Sequence, residues 1–130
     1  MTEDRLEELL DAARSIRDHA YVPYSGFRVG AAVLADGRIF PAVNVENASY
    51  PLSVCAERNA VAAMVAAGTL RLQAVGVVTE AAEPTPPCGG CRQVLAEFGP
   101  DAVVVSQTLA GARARWTVRE LLPEAFVFER

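Results

Sequence analysis

Residues 27–43, Phe27-Arg28-Val29-Gly30-Ala31-Ala32-Val33-Leu34-Ala35-Asp36-Gly37-Arg38-Ile39-Phe40-Pro41-Ala42-Val43, hold two β-rich runs, 27–34 and 38–43, around Ala35-Asp36-Gly37. Asp-Gly between apolar runs is a strong hairpin signal, because both residues tolerate the positive φ of a tight turn. The runs are therefore expected as adjacent antiparallel strands. Gly30 inside the first run marks a bulge or the close approach of another backbone.

Upstream of the hairpin, Leu6, Leu9, Leu10, Ala13 and Ile16 recur at helical spacing, so residues 3–19 are expected as an amphipathic helix. Thr2 suits its N-cap, Glu3 and Asp4 suit its positive start, and Pro23 lies beyond its end. Downstream, 44–53 is a polar, turn-rich loop, and the Ala-rich stretch 54–67 reads as a second helix stopped by Gly68. A buried strand at 74–79, a loop at 80–87 and a third helix at 88–98, entered through Pro87 and ended by Gly99-Pro100, come next. Residues 102–106 read as another buried strand, 114–117 as a further strand and 118–122 as a short helix before Pro123. Such an order implies a mixed sheet covered by helices, an α/β layered domain.

The 130 residues, 52% of them apolar, are one domain's worth of chain, and the whole of 1–130 reads as one continuous fold. Sixteen acidic against 12 basic residues, net charge −4, argue against a protein that tracks phosphates along nucleic acid. All the basic residues are arginine, which excludes Schiff-base chemistry, a P-loop lysine and a lysine nucleophile. The acidic, helical N-terminus is unlike a secretory signal, and the longest apolar run, 60–67, is far short of a bilayer span, so a soluble cytoplasmic protein is expected. A mean hydropathy of +0.19 is high for a small monomer and points to apolar surface hidden in an oligomer.

Three cysteines cannot all pair within one chain, and a reducing compartment disfavours disulfides. They occur in Cys55-Ala56-Glu57 and Pro87-Cys88-Gly89-Gly90-Cys91, each at an expected helix start, where backbone N–H groups and the helix dipole favour thiolates. Three soft sulfurs point to zinc, and three protein ligands leave a fourth position for water. Glu57 is close enough in sequence to set a carboxylate over that position and to shuttle a proton. Three thiolates on Zn²⁺ sum to −1, so Arg58 and Arg92, each following a motif residue, are candidate partners for the sulfurs. Other readings stand beside this one. A lone C-x-x-C also serves redox pairs and halves of structural zinc sites, a buried cysteine is often a small hydrophobe, and His19 could complete a Cys₃His site.

At these residues the chain resembles the zinc-dependent cytidine deaminases, of the small homotetrameric kind whose metal ligands are all cysteine. The resemblance runs through Tyr24-Ser25-Gly26-Phe27-Arg28-Val29-Gly30-Ala31-Ala32, Asn44-Val45-Glu46-Asn47-Ala48-Ser49-Tyr50, Cys55-Ala56-Glu57-Arg58, Pro87-Cys88-Gly89-Gly90-Cys91-Arg92-Gln93 and Leu121-Leu122-Pro123. It implies a three-layer α/β/α sandwich around a mixed sheet of about five strands, with one Zn²⁺ per subunit on Cys55, Cys88 and Cys91. Zinc-activated hydroxide would attack C4 of the pyrimidine while Glu57 moves protons, a mechanism known for zinc deaminases in general. By the same resemblance Phe27 packs on the base, Asn44 and Glu46 hold the ribose 3′-hydroxyl, and Arg58 hydrogen-bonds the thiolates. Ala48, Tyr50 and Phe126 match positions that reach a neighbouring subunit's site, with Phe128 a second candidate for the role of Phe126. Gly90 stands where alanine is common, and 107–116 match no pattern of the family.

The implied activity is hydrolytic deamination of cytidine and 2′-deoxycytidine in pyrimidine salvage, by a homotetramer with sites at subunit interfaces. A free nucleoside is preferred to a nucleotide, because Glu46 adds negative charge and no basic cluster near the motifs would hold a 5′-phosphate. The loop 44–50 fits ribose binding better than the aminated nucleoside antibiotic taken by blasticidin S deaminase. Polynucleotide editing lacks an aromatic and basic track, and no membrane partner is expected. A non-catalytic zinc module is the rival from another class: it predicts a closed four-ligand site and a dispensable Glu57.

Overall fold

In the computed structural model, which describes residues 1–128, the hairpin forms from β1 (Gly30–Ala35) and β2 (Arg38–Val43). Asp36 and Gly37 have φ of 50° and 76°, and Ala35 pairs with Arg38, the two-residue turn whose twist suits antiparallel strands. β1 starts at Gly30, later than the apolar run. The peptides before it pair with a side chain instead: Asn44 Nδ2 donates to the Phe27 carbonyl at 2.8 Å, and Asn44 Oδ1 accepts from the Val29 N–H at 2.9 Å. The side-chain oxygen thus stands in for the Asn44 carbonyl, which accepts from Tyr21 N–H, while the Asn44 N–H still reaches the Val29 carbonyl at 3.4 Å. Pro41 is tolerated because β2 is an edge strand.

Helix α1 (Glu3–Ile16) is capped by Thr2, whose hydroxyl accepts from Arg5 N–H at 3.2 Å. It ends three residues before the expected 19, and Arg17–His19 form a 3₁₀ turn. There the buried Arg17 donates to the Arg28 carbonyl at 3.1 Å, tying the helix end to the segment that enters β1. Leu6, Leu9, Leu10 and Ala13 pack on Ala32, Leu34, Ala74, Val78 and Val105 of the sheet. Burial of each leucine contributes about 1.5–3 kcal/mol before entropy is counted.

The sheet runs β2-β1-β3-β4-β5, with β3 (Leu72–Thr79), β4 (Val103–Thr108) and β5 (Arg113–Thr117). Only β3 and β4 pair in parallel, as the helical crossover α3 (Gly89–Phe98) between them requires. On the face away from α1, α2 (Ala56–Ala66) and α3 bury Ala60, Val61, Met64 and Leu95 against Val33, Val75, Val77 and Val104. The result is the three-layer α/β/α sandwich with a mixed five-stranded sheet, and β1 is buried along its whole length because helices cover both its faces. The chain then turns through α4 (Val118–Leu121), which starts with a capping box between Thr117 and Glu120. Among the described residues no helix is long and apolar enough to cross a membrane.

Candidate active site at two helix starts

Cys55 and Cys88 are the N-cap residues of α2 and α3. An N-cap serine or aspartate would turn its oxygen onto the first helical N–H groups, but neither cysteine makes such a bond, so both sulfurs are free to face elsewhere. Cys91 lies one turn into α3 and is fully buried. The three Sγ atoms all lie within 4.8 Å of one another, and Cys55 Sγ is 3.9 Å from Cys88 Sγ. That is too far for a disulfide of about 2.05 Å. It matches the roughly 3.8 Å that zinc–sulfur bonds of about 2.3 Å set at the tetrahedral angle. The donor set therefore fits zinc in chemistry and, for the Cys55–Cys88 pair, in spacing.

Charge at the thiols is managed locally. Arg58 Nη2 donates to Cys55 Sγ at 3.3 Å. The Cys55 thiol is lowered to about 5 by a hydrogen bond from Cys91, with the Arg58 guanidinium adding to it, and the Cys91 thiol, donor in that bond and buried, is raised. Glu57, in the first turn of α2, is 6% exposed. Burial pushes its carboxyl up to about 7, so it can exchange a proton near neutrality.

Glu57 shares a cleft of about 230 Å³ with Cys55, Cys88, Phe27 and Asn44. That is below the roughly 300 Å³ at which ordinary ligand pockets begin, and it suits a heterocyclic base better than a whole nucleoside. Main-chain bonds hold its walls. Val45 pairs with Val54 on one side and Tyr21 on the other, while Asn59 Nδ2 donates to the Val43 carbonyl at 2.9 Å, docking α2 against the end of β2. Glu46 accepts from the Tyr24 and Ser25 amides at 3.0 and 3.1 Å and from the Ser25 hydroxyl, and the Ser25 hydroxyl bond is the main reason its carboxyl titrates below 4.5.

The other expected site residues are placed apart in the protomer. Glu46 and Tyr50 line a neighbouring cleft with Tyr24, Ser25 and Ser53, Ala48 is exposed beside it, and Phe126 lies in a separate groove along α3 and α4. Arg92 is not at the sulfurs. Its Nε donates to the Pro87 carbonyl at 2.8 Å and its Nη1 to the Leu121 carbonyl at 2.9 Å, because those carbonyls lie on the side of α3 that faces α4. His19 is no part of the thiol cluster among the described residues. Ala56, Val77, Thr85 and Pro86 also line the cleft and carry no motif signal. Thr85 comes closest to one, as a hydroxyl three residues before Cys88, and its Oγ1 is 3.1 Å from Thr79 Oγ1 at the end of β3.

The family described as the cytidine and deoxycytidylate deaminase zinc-binding region matches residues 3–107. The chain is similar to the cytidine deaminase of Halalkalibacterium halodurans, 47% identical over 123 residues that cover 93% of each chain. It is also similar to that of Mycobacterium tuberculosis, 44% identical over 108 residues, 82% of this chain and 78% of the relative. In three dimensions it superposes on the crystal structure of cytidine deaminase from Burkholderia pseudomallei with a TM-score of 0.90 and 45% identity, covering 97% of this chain and 100% of the other. The converging cysteines and Glu57 all fall inside the matched span, and the chain belongs to the cytidine and deoxycytidylate deaminase family of zinc enzymes.

Proposed function

We propose that this chain deaminates cytidine and 2′-deoxycytidine to uridine and 2′-deoxyuridine, with release of ammonia, as a cytoplasmic step of pyrimidine salvage. The observation that carries the reading is the cleft itself: a buried carboxyl with a raised pKa, two of three clustered thiols, an aromatic ring and an amide face one another across space for a base. Cys55, Cys88 and Cys91 would hold zinc, which would supply the Lewis acidity that lowers the pKa of water toward neutrality.

Glu57 does the proton work. In its ionised form it accepts a proton from the attacking water and passes it to N3, which keeps it in the product. It then carries the second proton to the 4-amino nitrogen, which leaves as ammonia while oxygen remains on C4. Phe27, 41% exposed at the cleft mouth, offers a ring face to the base. Asn44 spends its oxygen and one amide hydrogen on the Val29 and Phe27 backbone, which leaves the second amide hydrogen for a sugar hydroxyl. Glu46 completes that pair as the acceptor.

Residues 1–130 act as one catalytic domain in a homotetramer, in which Ala48, Tyr50 and Phe126 serve a neighbour's site. In its support, Tyr50 and Phe126 are each 71% exposed in the protomer and lie outside the cleft that holds the thiols. The test is the ultraviolet change on incubation with cytidine, 2′-deoxycytidine, their monophosphates and blasticidin S. Turnover of the two nucleosides is expected, and turnover of none of the five refutes the reading. Glu57→Gln is expected to keep zinc and fold while kcat falls about 10²- to 10⁴-fold; undiminished activity would return Glu57 to a structural role.

A further inference from the structure

The three thiols are held in unequal ways. Cys91 is fully buried, Cys55 is half-buried and carries the Arg58 guanidinium, and Cys88 is exposed. No side-chain cap directs the Cys88 sulfur and its side-chain hydrogen-bond partner is the Cys55 sulfur at 3.9 Å, so its aim follows the peptide that precedes it. That peptide is held by Arg92. Its Nε bonds the Pro87 carbonyl at 2.8 Å, its own N–H bonds the Cys88 carbonyl at 2.9 Å, and its Nη1 bonds the Leu121 carbonyl at 2.9 Å. Among the described residues no carboxylate pairs with Arg92. The Leu121 carbonyl ends a helix and has lone pairs to spare for a cation. α4 is only four residues long, and its start is held by the reciprocal Thr117–Glu120 bonds, Thr117 N to Glu120 Oε1 at 2.9 Å and Glu120 N to Thr117 Oγ1 at 3.1 Å.

We infer that Arg92 is a positioning residue for the zinc centre, and that through it metal retention depends on the β5–α4 corner, which lies beyond the family-matched span 3–107. Arg92 clamps the Pro87–Cys88 peptide against the end of α4, so the one exposed ligand keeps its aim only while that helix end stays in place. The inference rests on the three cysteines as zinc ligands and is independent of the substrate. Its readout is zinc, so its failure leaves the proposed deamination untouched.

The test is the rate at which zinc-loaded protein gives up its metal to a colorimetric chelator in excess. Arg92→Met, which keeps the stem and removes the donors, is expected to release zinc roughly tenfold faster, the low end for loss of a group supporting metal ligands. Arg92→Lys, with a charge and one short reach, is expected to fall between. Thr117→Val breaks the cap of α4, whose bonds involve none of the three cysteines, and is expected to speed release roughly threefold, a part of the usual value of a cap. Combined with Arg92→Met it is expected to add nothing, because the clamp is already open. Release from Arg92→Met within twofold of the parent overturns the inference. So does Thr117→Val acting with full effect in the Arg92→Met background, which would mark both residues as ordinary contributors to stability. If Arg92→Met does not fold, Arg92→Lys and Thr117→Val decide in the same assay: faster release in both supports the clamp, and parental rates in both overturn it.

Discussion

Replacing Gly30 with alanine is the sharpest probe of how the sheet positions the cleft. A Cβ at Gly30 would lie 2.0 Å from the Ala13 carbonyl oxygen, 2.9 Å from Arg17 Cβ and 3.0 Å from the Ala13 carbonyl carbon. Two of the three are backbone atoms of α1, so no rotamer relieves the clash. Real Cβ atoms essentially never come within 3.0 Å, so the last turn of α1 has to retreat by about 1 Å. A gap of that size forfeits a quarter to a half of each dispersion well along the contact. Overpacking typically costs 1–3 kcal/mol, and a clash with backbone belongs at the upper end, about 3 kcal/mol. An unfolding entropy of about 2.1 cal/mol/K per residue over 130 residues converts this into a fall in Tm of about 11 °C.

The measurement is thermal unfolding by circular dichroism at fixed protein and zinc concentrations, since both shift Tm by mass action. Gly90→Ala is the internal control. Nothing lies within 4 Å of a Cβ there, and the position is in the first turn of α3, so Tm is expected to hold or rise by the equivalent of up to about 1 kcal/mol. A Tm for Gly30→Ala within about 2 °C of the parent would refute the close approach of α1 to β1. So would an equal loss in both variants, which would trace the effect to something other than that contact.

Arg58→Gln removes the guanidinium bond to Cys55 and is expected to keep zinc while lowering kcat; metal analysis showing no zinc would make Arg58 an assembly residue instead. Thr85→Val deletes a hydroxyl that lines the cleft and is expected to raise KM for cytidine roughly three- to tenfold, one neutral hydrogen bond, with Thr85→Ser restoring it. An unchanged KM would show that the hydroxyl only secures Thr79. Ser25→Ala tests the lowered carboxyl of Glu46. A depressed acid contributes fully above its ordinary 4.5 and fades as pH falls through its lowered value, so loss of the Ser25 hydroxyl bond is expected to move the acid-side rise in KM to higher pH. Superimposable KM–pH profiles would show that Glu46 does not bind substrate.

Much of the fold was legible because its signals are local. Asp36-Gly37 set the hairpin through φ, Thr2 capped α1, and Gly68, at φ 87°, lies past the end of α2. The edges that shifted did so for non-local reasons. β1 begins at Gly30 because Asn44, arriving 15 residues later, supplies the pairing for Phe27 and Val29, and the helical spacing of α1 continues past Ile16 into residues that Arg17 pins to Arg28. Thr85 went unread because a single hydroxyl in a proline-rich loop carries no period and no spacing, and only the packing of that loop beside β3 turns it to the cleft.

By itself the sequence determined the chemistry. Three cysteines at two helix starts specify soft ligands, with a carboxyl two residues after the first, because thiolate affinity and helix-end polarity are properties of the residues and their nearest neighbours. Tertiary structure alone decided the geometry: that α2 and α3 start beside each other with the Cys55 and Cys88 sulfurs 3.9 Å apart, and that of two arginines that each follow a motif residue Arg58 faces a thiolate while Arg92 grips carbonyls. The physical reason is that a guanidinium goes to whichever acceptors the fold brings within reach, and for Arg92 one of these lies 29 residues away, at the end of a helix that follows β5, itself placed by its antiparallel pairing with β4.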